Sequence, residues 1–368
     1  MTALGLDTIN GDTTFFVPRY RIKLGGKELH EHGSDFLSVQ FKDSVKELSG
    51  FELILNNWDD AGEGGNPRFK YSDDDQLVKL GQRVELELGY EDAPGLELMM
   101  IGEITALDPQ FPASGAPTIT VRGLDRIHRM RNRPKTRSWN HKTDYQIAQA
   151  IAKENEMGFD GDKTSPEHAV VPQNNLDNIS FLLERAKRIN YEVFARNDTL
   201  LFRRPRETKD AELALEWGTS LISFAPSLTL SRQISKVTVR FWDKKEGALV
   251  EKTVDRSKLA SAVDKGKNAG QVLEEALGEA KEEVITREGI TSEQDAQALA
   301  ESVLLRSSYA FVTGTAQTVG LPKLRAGTTV ELRKLGKNFD GKYYITESTH
   351  RIDNSGYQTT IAVRKVSV

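Results

Sequence analysis

The string Gly336-Lys-Asn-Phe-Asp-Gly341-Lys342-Tyr343 comes nearest to a catalytic motif in this chain. Glycines and a lysine at that spacing could cradle a phosphate on backbone amides, with the lysine meeting its charge. Tyr343, however, stands where Ser or Thr would have to hold magnesium. The string also runs into Tyr343-Tyr-Ile-Thr, a strand pattern, where a phosphate loop opens a helix. The spacing therefore predicts a hairpin connection with glycines at positive φ.

The histidines are His30, His32, His128, His141, His168 and His350. His30 and His32 could face one side of a strand and bind metal, but no third ligand follows at a persuasive spacing, and surface turn histidines are the plainer reading. Asp59, Asp60 and Glu63, with the run Asp73-Asp74-Asp75, could bind calcium. They lack the alternating ligand spacing that closes an EF-hand loop, so a solvated loop tip is expected. Two carboxylates flanking a sugar could cleave a glycoside, although sequence alone does not show their separation. No HExxH or GxSxG string is present. Arg126, Arg129, Arg131, Arg133, Lys135 and Arg137 could meet nucleic acid, but the only nearby aromatic, Trp139, lies beyond the cluster instead of alternating with it. A linker or subunit contact is expected there. No catalytic, cofactor-binding or metal-binding residue is assigned, and no enzyme and no cofactor are expected.

The elements that would carry such residues are mostly strands. Three alternating runs, Thr328–Leu332, Tyr343–Ser348 and Gln358–Val363, are separated by Gly, Asn and Asp clusters, as in a β-meander. An earlier stretch repeats them in order. Gly81-Gln-Arg-Val84-Glu-Leu86 matches Gly327-Thr-Thr-Val330-Glu-Leu332, and Thr118-Ile-Thr-Val121-Arg122 matches Thr359-Thr-Ile361-Ala-Val363-Arg364. Val39-Gln-Phe41-Lys-Asp43 similarly matches Val239-Arg-Phe241-Trp-Asp243, which extends the duplication upstream.

Between the copies the pattern turns mixed. Ile147, Ala148, Ile151 and Ala152 form one helical face behind a Thr143 or Asp144 cap, and Ile179–Ile189 forms a second helix. Strands Tyr191–Ala195 and Thr199–Arg203 follow around an Asn197-Asp198 turn. Helices near Ala269–Val284 and Ser292–Leu305 sit in an Ala-, Glu- and Lys-rich insertion. The expected fold is α+β and mostly β, with two similar β-barrels flanking a small α+β domain. Its parts are an arm at 1–13, a first barrel at 14–125, a middle domain at 126–216, and a second barrel at 217–368 with a helical insertion at about 244–307. Residues 57–75 read as a long polar loop.

Composition sets the outer bounds. A chain of 368 residues exceeds one average core. A net charge of −4 argues against a nucleic-acid binder. With no cysteine, disulfides and thiolate chemistry are out. The N-terminus lacks a signal-peptide pattern and no run is long enough to span a membrane, so synthesis as a soluble cytoplasmic protein is expected.

Four stretches resemble a known family. They are Pro18-Arg-Tyr-Arg-Ile-Lys-Leu-Gly-Gly-Lys27, then Asn175 through Phe194, then Ser292 through Ala300, and Gly320-Leu-Pro-Lys-Leu-Arg-Ala-Gly327 with Phe339-Asp-Gly-Lys-Tyr-Tyr344 and His350. In this order they resemble the tail-hub proteins of contractile phages and injection systems: the phage late control D proteins, the hub of T4-like baseplates, and the N-terminal part of VgrG. That resemblance implies a structural baseplate hub. It implies a homotrimer that meets a separate threefold spike protein, a hexameric inner-tube ring and other baseplate proteins, within a phage tail or tail-like particle. Two barrels per chain would give a trimer six, matching a sixfold ring. The spike portion and any lysozyme-like insertion of the family pattern are not found in the sequence. A carbohydrate-acting enzyme and a cell-wall-binding module on a similar β scaffold remain the alternatives.

Overall fold

The computed structural model describes residues 4–5, 17–29, 35–60, 68–72, 77–91, 95–131, 133–207, 209–243, 247–262, 266–278, 281–286, 290 and 292–368. The first strands are β1 (Leu4–Gly5), β2 (Pro18–Leu24), β3 (Lys27–Glu28), β4 (Phe36–Ser44) and β5 (Gly50–Asn56). A short hairpin, β6 (Trp58–Asp59) with β7 (Arg68–Phe69), precedes β8 (Arg83–Tyr90), β9 (Leu96–Gln110) and β10 (Thr118–Asp125). The middle region holds β11 (Lys135–Lys142), α1 (Asp144–Glu154), β12 (Gly158–Gly161), β13 (His168–Leu176), α2 (Asn178–Arg188), β14 (Glu192–Arg196) and β15 (Thr199–Arg203). Then come β16 (Leu213–Glu216), β17 (Leu221–Leu228), β18 (Lys236–Asp243), β19 (Ala248–Asp255), α3 (Ala269–Leu277), β20 (Glu282–Thr286) and α4 (Glu293–Ser308). The chain closes with β21 (Val312–Val319), β22 (Thr329–Arg333), β23 (Gly341–Asp353) and β24 (Gly356–Lys365).

Alternation writes the first lobe. Along β5 every second side chain, Phe51, Leu53 and Leu55, is buried, and β8 does the same with Val84, Leu86 and Leu88. The lobe runs β4-β5-β10-β9-β8-β2, all antiparallel, around a core of these residues with Val39, Phe41, Met99 and Ile119. The second lobe runs β16-β22-β23-β24-β21-β17 around Phe311, Val330, Tyr343, Ile345 and Ile361. A bridge between Trp217 and Leu221 returns β17 beside the end of β16, so these strands curl back on themselves.

One strand makes the two lobes a single sheet. The first part of β23 pairs with β22, and its second part, Glu347–Asp353, pairs with Ser38–Ser44 of β4. A register shift between Ile345 and Glu347 lies where the strand passes from one lobe to the other. Ile352 of β23 and Tyr357 of β24 accordingly belong to the first lobe's core.

The fold is the mostly β, α+β one expected, with three differences of detail. First, β18 is not the second copy of β4. Among the described residues it pairs with β19 and β20 alone, in a separate three-stranded sheet that packs its Val237, Val239 and Phe241 face on α4. The strand beside β21, as β4 is beside β5, is β17. The segment that leaves the large sheet therefore starts before Lys236, not near 244. Second, the helix expected over Ala269–Val284 stops at Leu277. Gly278 takes the left-handed φ of 77° that ends a helix, and the β-branched Glu282–Thr286 stretch forms β20. Third, within the arm at 1–13, Leu4–Gly5 is a short strand that pairs in parallel with Leu213–Ala214 of β16. The arm's other residues lie outside those described.

The middle region packs α1 and α2 around Ile147, Ile151, Phe181, Leu182 and Phe202. Thr143 caps α1 in a reciprocal box with Gln146, and Asp177 caps α2 through the Ser180 amide.

Candidate functional site

Two buried charge clusters and an open cleft mark where the parts of this chain meet. The first cluster is built on Arg364, which breaks the alternation of β24 by lying buried directly after buried Val363. Its Nε donates to Glu207 at 2.8 Å and its NH2 group to Glu192 at 3.4 Å. The guanidinium stacks 3.6 Å from the Tyr309 ring centroid and 4.7 Å from that of Tyr344. The Tyr344 hydroxyl donates a very short hydrogen bond to Glu192, and Tyr309 bonds Asn190. The middle region, the end of α4 and the second lobe are thereby tied at one point.

One guanidinium is shared by two carboxylates here. Burial pushes Glu192 and Glu207 above the usual carboxylate range, and the attraction of Arg364 only partly offsets it. Burial pulls Arg364 down, but Glu207, Tyr309 and Glu192 outweigh that and raise it. Nearby, Arg203 donates to the Gly327 carbonyl at 2.7 Å and Arg196 to that of Ala326 at 2.7 Å. Gly327 has φ 83°, and a Cβ there would lie 2.9 Å from the Phe194 ring and 2.7 Å from Arg203. Only glycine meets both demands.

The second cluster joins the two lobes. Arg325 donates through Nε to Asp43 at 2.7 Å and through its NH2 group to the Met99 carbonyl at 2.8 Å, with its guanidinium 5.0 Å from the Phe41 ring centroid. His350 stacks on Phe41, with the ring centroids 6.0 Å apart. Its Nε2 donates to the Leu324 carbonyl, which leaves Nδ1 as the acceptor, with the Tyr357 and Thr359 hydroxyls 3.0 and 3.1 Å away. Burial first, and then Arg325, push the imidazole down to about 3, so it is neutral at physiological pH. Beside them, Asp125 accepts the Ser49 and Ile127 amides, yet burial pushes it up to about 6.

Above the Arg364 cluster lies a cleft of about 780 Å³. Its floor is the outer face of the second lobe, with the small residues Ala225, Ser227, Thr313, Gly314 and Ala362. Its walls are α2, the β4–β5 turn and the end of α4. Lys46, Lys187 and Arg306 line it and are exposed. Enclosure by the cleft, and then Arg364, lower the Arg306 guanidinium.

The sequence candidates fall as follows. The Gly336–Tyr343 string is the β22–β23 hairpin, with Gly336 and Gly341 at φ 84° and 124°, and Lys365 donates to the Asp340 carbonyl at 2.8 Å. His30, His32, Glu63 and Asp73–Asp75 lie outside the described residues. Asp59 pairs with Arg68, and Asp60 accepts the Trp58 indole N–H. His128 bonds the Asp125 carbonyl and faces Glu103, while His141 sits exposed at φ 50° near Glu167. His168 faces Asp144, Arg185 and, from α4, Asp295. Among the described residues no three His, Asp or Glu side chains converge as metal ligands would.

The basic run is largely consumed internally, as a linker would be. Arg126 pairs with Asp198, Arg129 with Glu103, and Lys135 and Arg137 with Glu154. Sequence reading missed Arg364, Glu192, Glu207, Tyr309 and Tyr344, whose partners lie up to 172 positions apart. No local sequence signal marks them, since an arginine in a strand reads as solvent-facing until its neighbours are known.

The family model described as the Alg8 N-terminal domain matches residues 16–354. No curated protein matches the chain by sequence. Among solved structures, a tail protein from Neisseria meningitidis MC58 superposes with a TM-score of 0.70 at 11% identity, covering 95% of this chain and 97% of that one. The 43 kDa tail protein of prophage MuSo2 from Shewanella oneidensis gives 0.68 at 16% identity, covering 94% and 98%. The E. coli c3393 protein is a type VI secretion system component with structural similarity to the T4 bacteriophage tail proteins gp27 and gp5. It gives 0.55 at 12% identity, covering 93% and 76%. At such identities the likeness is one of fold. Among the described residues no helix is long and apolar enough to cross a membrane.

Proposed function

The chain belongs to the Alg8 N-terminal domain family, and from the fold it shares with tail proteins we propose that it is a structural hub of a contractile tail or injection particle. In this reading it is a homotrimer that seats a separate spike protein on one side and a hexameric inner-tube ring on the other, beside other baseplate proteins. The particle is its working location, and it acts by shape and carries no catalytic step.

The observation that carries the reading is the shared β23–β4 ladder. It fixes two six-strand lobes in one rigid unit, and the buried Arg325–Asp43 pair locks their angle. Three such units place six lobes in a ring, which can meet a sixfold partner with near-equivalent contacts. A rigid spacing between lobes is what such an adaptor needs, since each lobe must meet its own tube subunit.

The test is the oligomeric state of the purified chain by sedimentation velocity over a range of concentrations. A trimer is expected, alone or on addition of its spike. A strict monomer under both conditions would contradict the reading.

A further inference from the structure

Lys46, Lys187 and Arg306 reach the cleft from three parts of the chain: the β4–β5 turn, α2 and the end of α4. The Ser302 hydroxyl donates to the Lys187 carbonyl at 2.7 Å, which seats α2 against α4, and Arg306 stands one turn further along α4. Lys46 follows Val45, whose amide bonds the Thr346 carbonyl of β23. Among the described residues none of the three side chains has an ion-pair or hydrogen-bond partner. The carboxylates nearby are already held, Glu347 by Lys42 and Glu192 by Arg364. Lys187 and Arg306 lie in the last turns of their helices, whose ends carry roughly half a negative charge each. The helix ends thus offset about one of the three positive charges, and the cleft keeps a positive surplus.

The floor decides which anion suits it. It spans four neighbouring strands, β17, β21, β24 and β23, or roughly 14 Å. Its small residues let a backbone lie close, and about four or five residues of extended chain cross that width. Exposed ion pairs are individually weak, so an anion that meets one cation gains little, whereas a segment with several carboxylates meets all three. Nucleic acid is the poorer fit. The tyrosines that line the cleft already spend their rings on arginines, Tyr309 on Arg364 at 3.6 Å and Tyr191 on Arg204 at 5.9 Å, which leaves no platform for a base. Simple strand addition is disfavoured too. Among the described residues β17 pairs along its length with β21 alone, but Pro226 in its middle has no amide to offer a new strand. Recognition therefore falls to the side chains.

We propose that the cleft binds an extended acidic segment of a partner protein, with its carboxylates held by Lys187 and Arg306 at the helix ends and by Lys46 at the turn. This recognition goes beyond the hub role, which works by shape and needs no charged seat at this place.

The experiment is fluorescence anisotropy of the full chain with a labelled peptide that alternates aspartate and serine, at low and moderate salt. An asparagine–serine peptide and an oligothymidylate of equal charge are the comparison probes. The aspartate peptide is expected to bind saturably and the asparagine peptide not to bind, with added salt weakening the complex. Lys187→Glu with Arg306→Glu should weaken it about tenfold or more. Lys46 and Lys187 are exposed, so Lys46→Glu with Lys187→Glu should keep the wild-type melting temperature and still weaken binding, even if the Arg306 change disturbs the fold. Lys27→Glu, on the β2–β3 hairpin outside the cleft, adds the same kind of charge and should leave binding unchanged. No saturable binding of the aspartate peptide overturns the proposal, and so does an equal loss in Lys27→Glu. Tighter binding of the oligothymidylate with the same sensitivity to the cleft variants assigns the cleft to nucleic acid instead. None of these outcomes bears on the trimer, so the hub reading stands or falls separately.

Discussion

At the scale of residues, the chain spends its buried charges on joints. His350 is neutral in the fold because burial and Arg325 hold its imidazole down to about 3, below the ordinary 6.5. A group depressed in this way contributes stability that is full above its unfolded value and is lost as pH falls toward the folded one. Between pH 6.5 and 3 the loss from this residue should reach about 4 kcal/mol. Replacing His350 with Gln, which keeps a donor for the Leu324 carbonyl, should flatten the fall of urea-unfolding free energy over that window. An unchanged slope would show that the imidazole is not the titrating group. Arg364 gives a second expectation. Arg364→Met strands two buried carboxylates and should cost about 3–5 kcal/mol. Adding Glu192→Gln and Glu207→Gln should recover a large part of that loss in the same unfolding assay. None of this was legible in the sequence. Tertiary partners over a hundred positions apart leave no local pattern, and an arginine in a strand reads as solvent-facing until its neighbours are known.

At the scale of elements, legibility followed periodicity. Strands with clean alternation, such as β5 and β8, and helices with a capped apolar face, such as α1 and α2, lie where their residues point. The phosphate-loop look-alike resolved into a hairpin for the reason its sequence context suggested: it runs into a strand, not a helix. Failures came where local pattern was ambiguous. The Val239-Arg-Phe241 stretch has the same alternation as Val39-Gln-Phe41, but alternation reports burial of one face and not which sheet buries it. The helix expected through Val284 stops at Gly278, where a glycine at positive φ ends a run of strong helix formers. The closing segment offers a sharp check. Gly327→Ala should destabilise the chain by about 2 kcal/mol or more, through positive-φ strain and contact with Phe194. Hydrogen exchange should place the loosening at the Leu324–Thr329 segment and β14. A loss of under half a kcal/mol would mean that the middle region does not clamp this segment.

At the scale of the molecule, duplication was legible as a repeated meander, but its consequence was not. The repeat gave no hint that β23 runs long enough to enter both lobes, because the length of a strand depends on what it can pair with. That shared strand turns two similar lobes into one body of fixed spacing, which suits the symmetry-matching role proposed above. The most direct measurement of the hub reading is electron cryo-microscopy of the assembled particle that contains this chain. The expected map has three copies in one ring between spike and tube, their six lobes facing the tube's six subunits. A map placing the chain away from that junction, or in any number other than three, would contradict it.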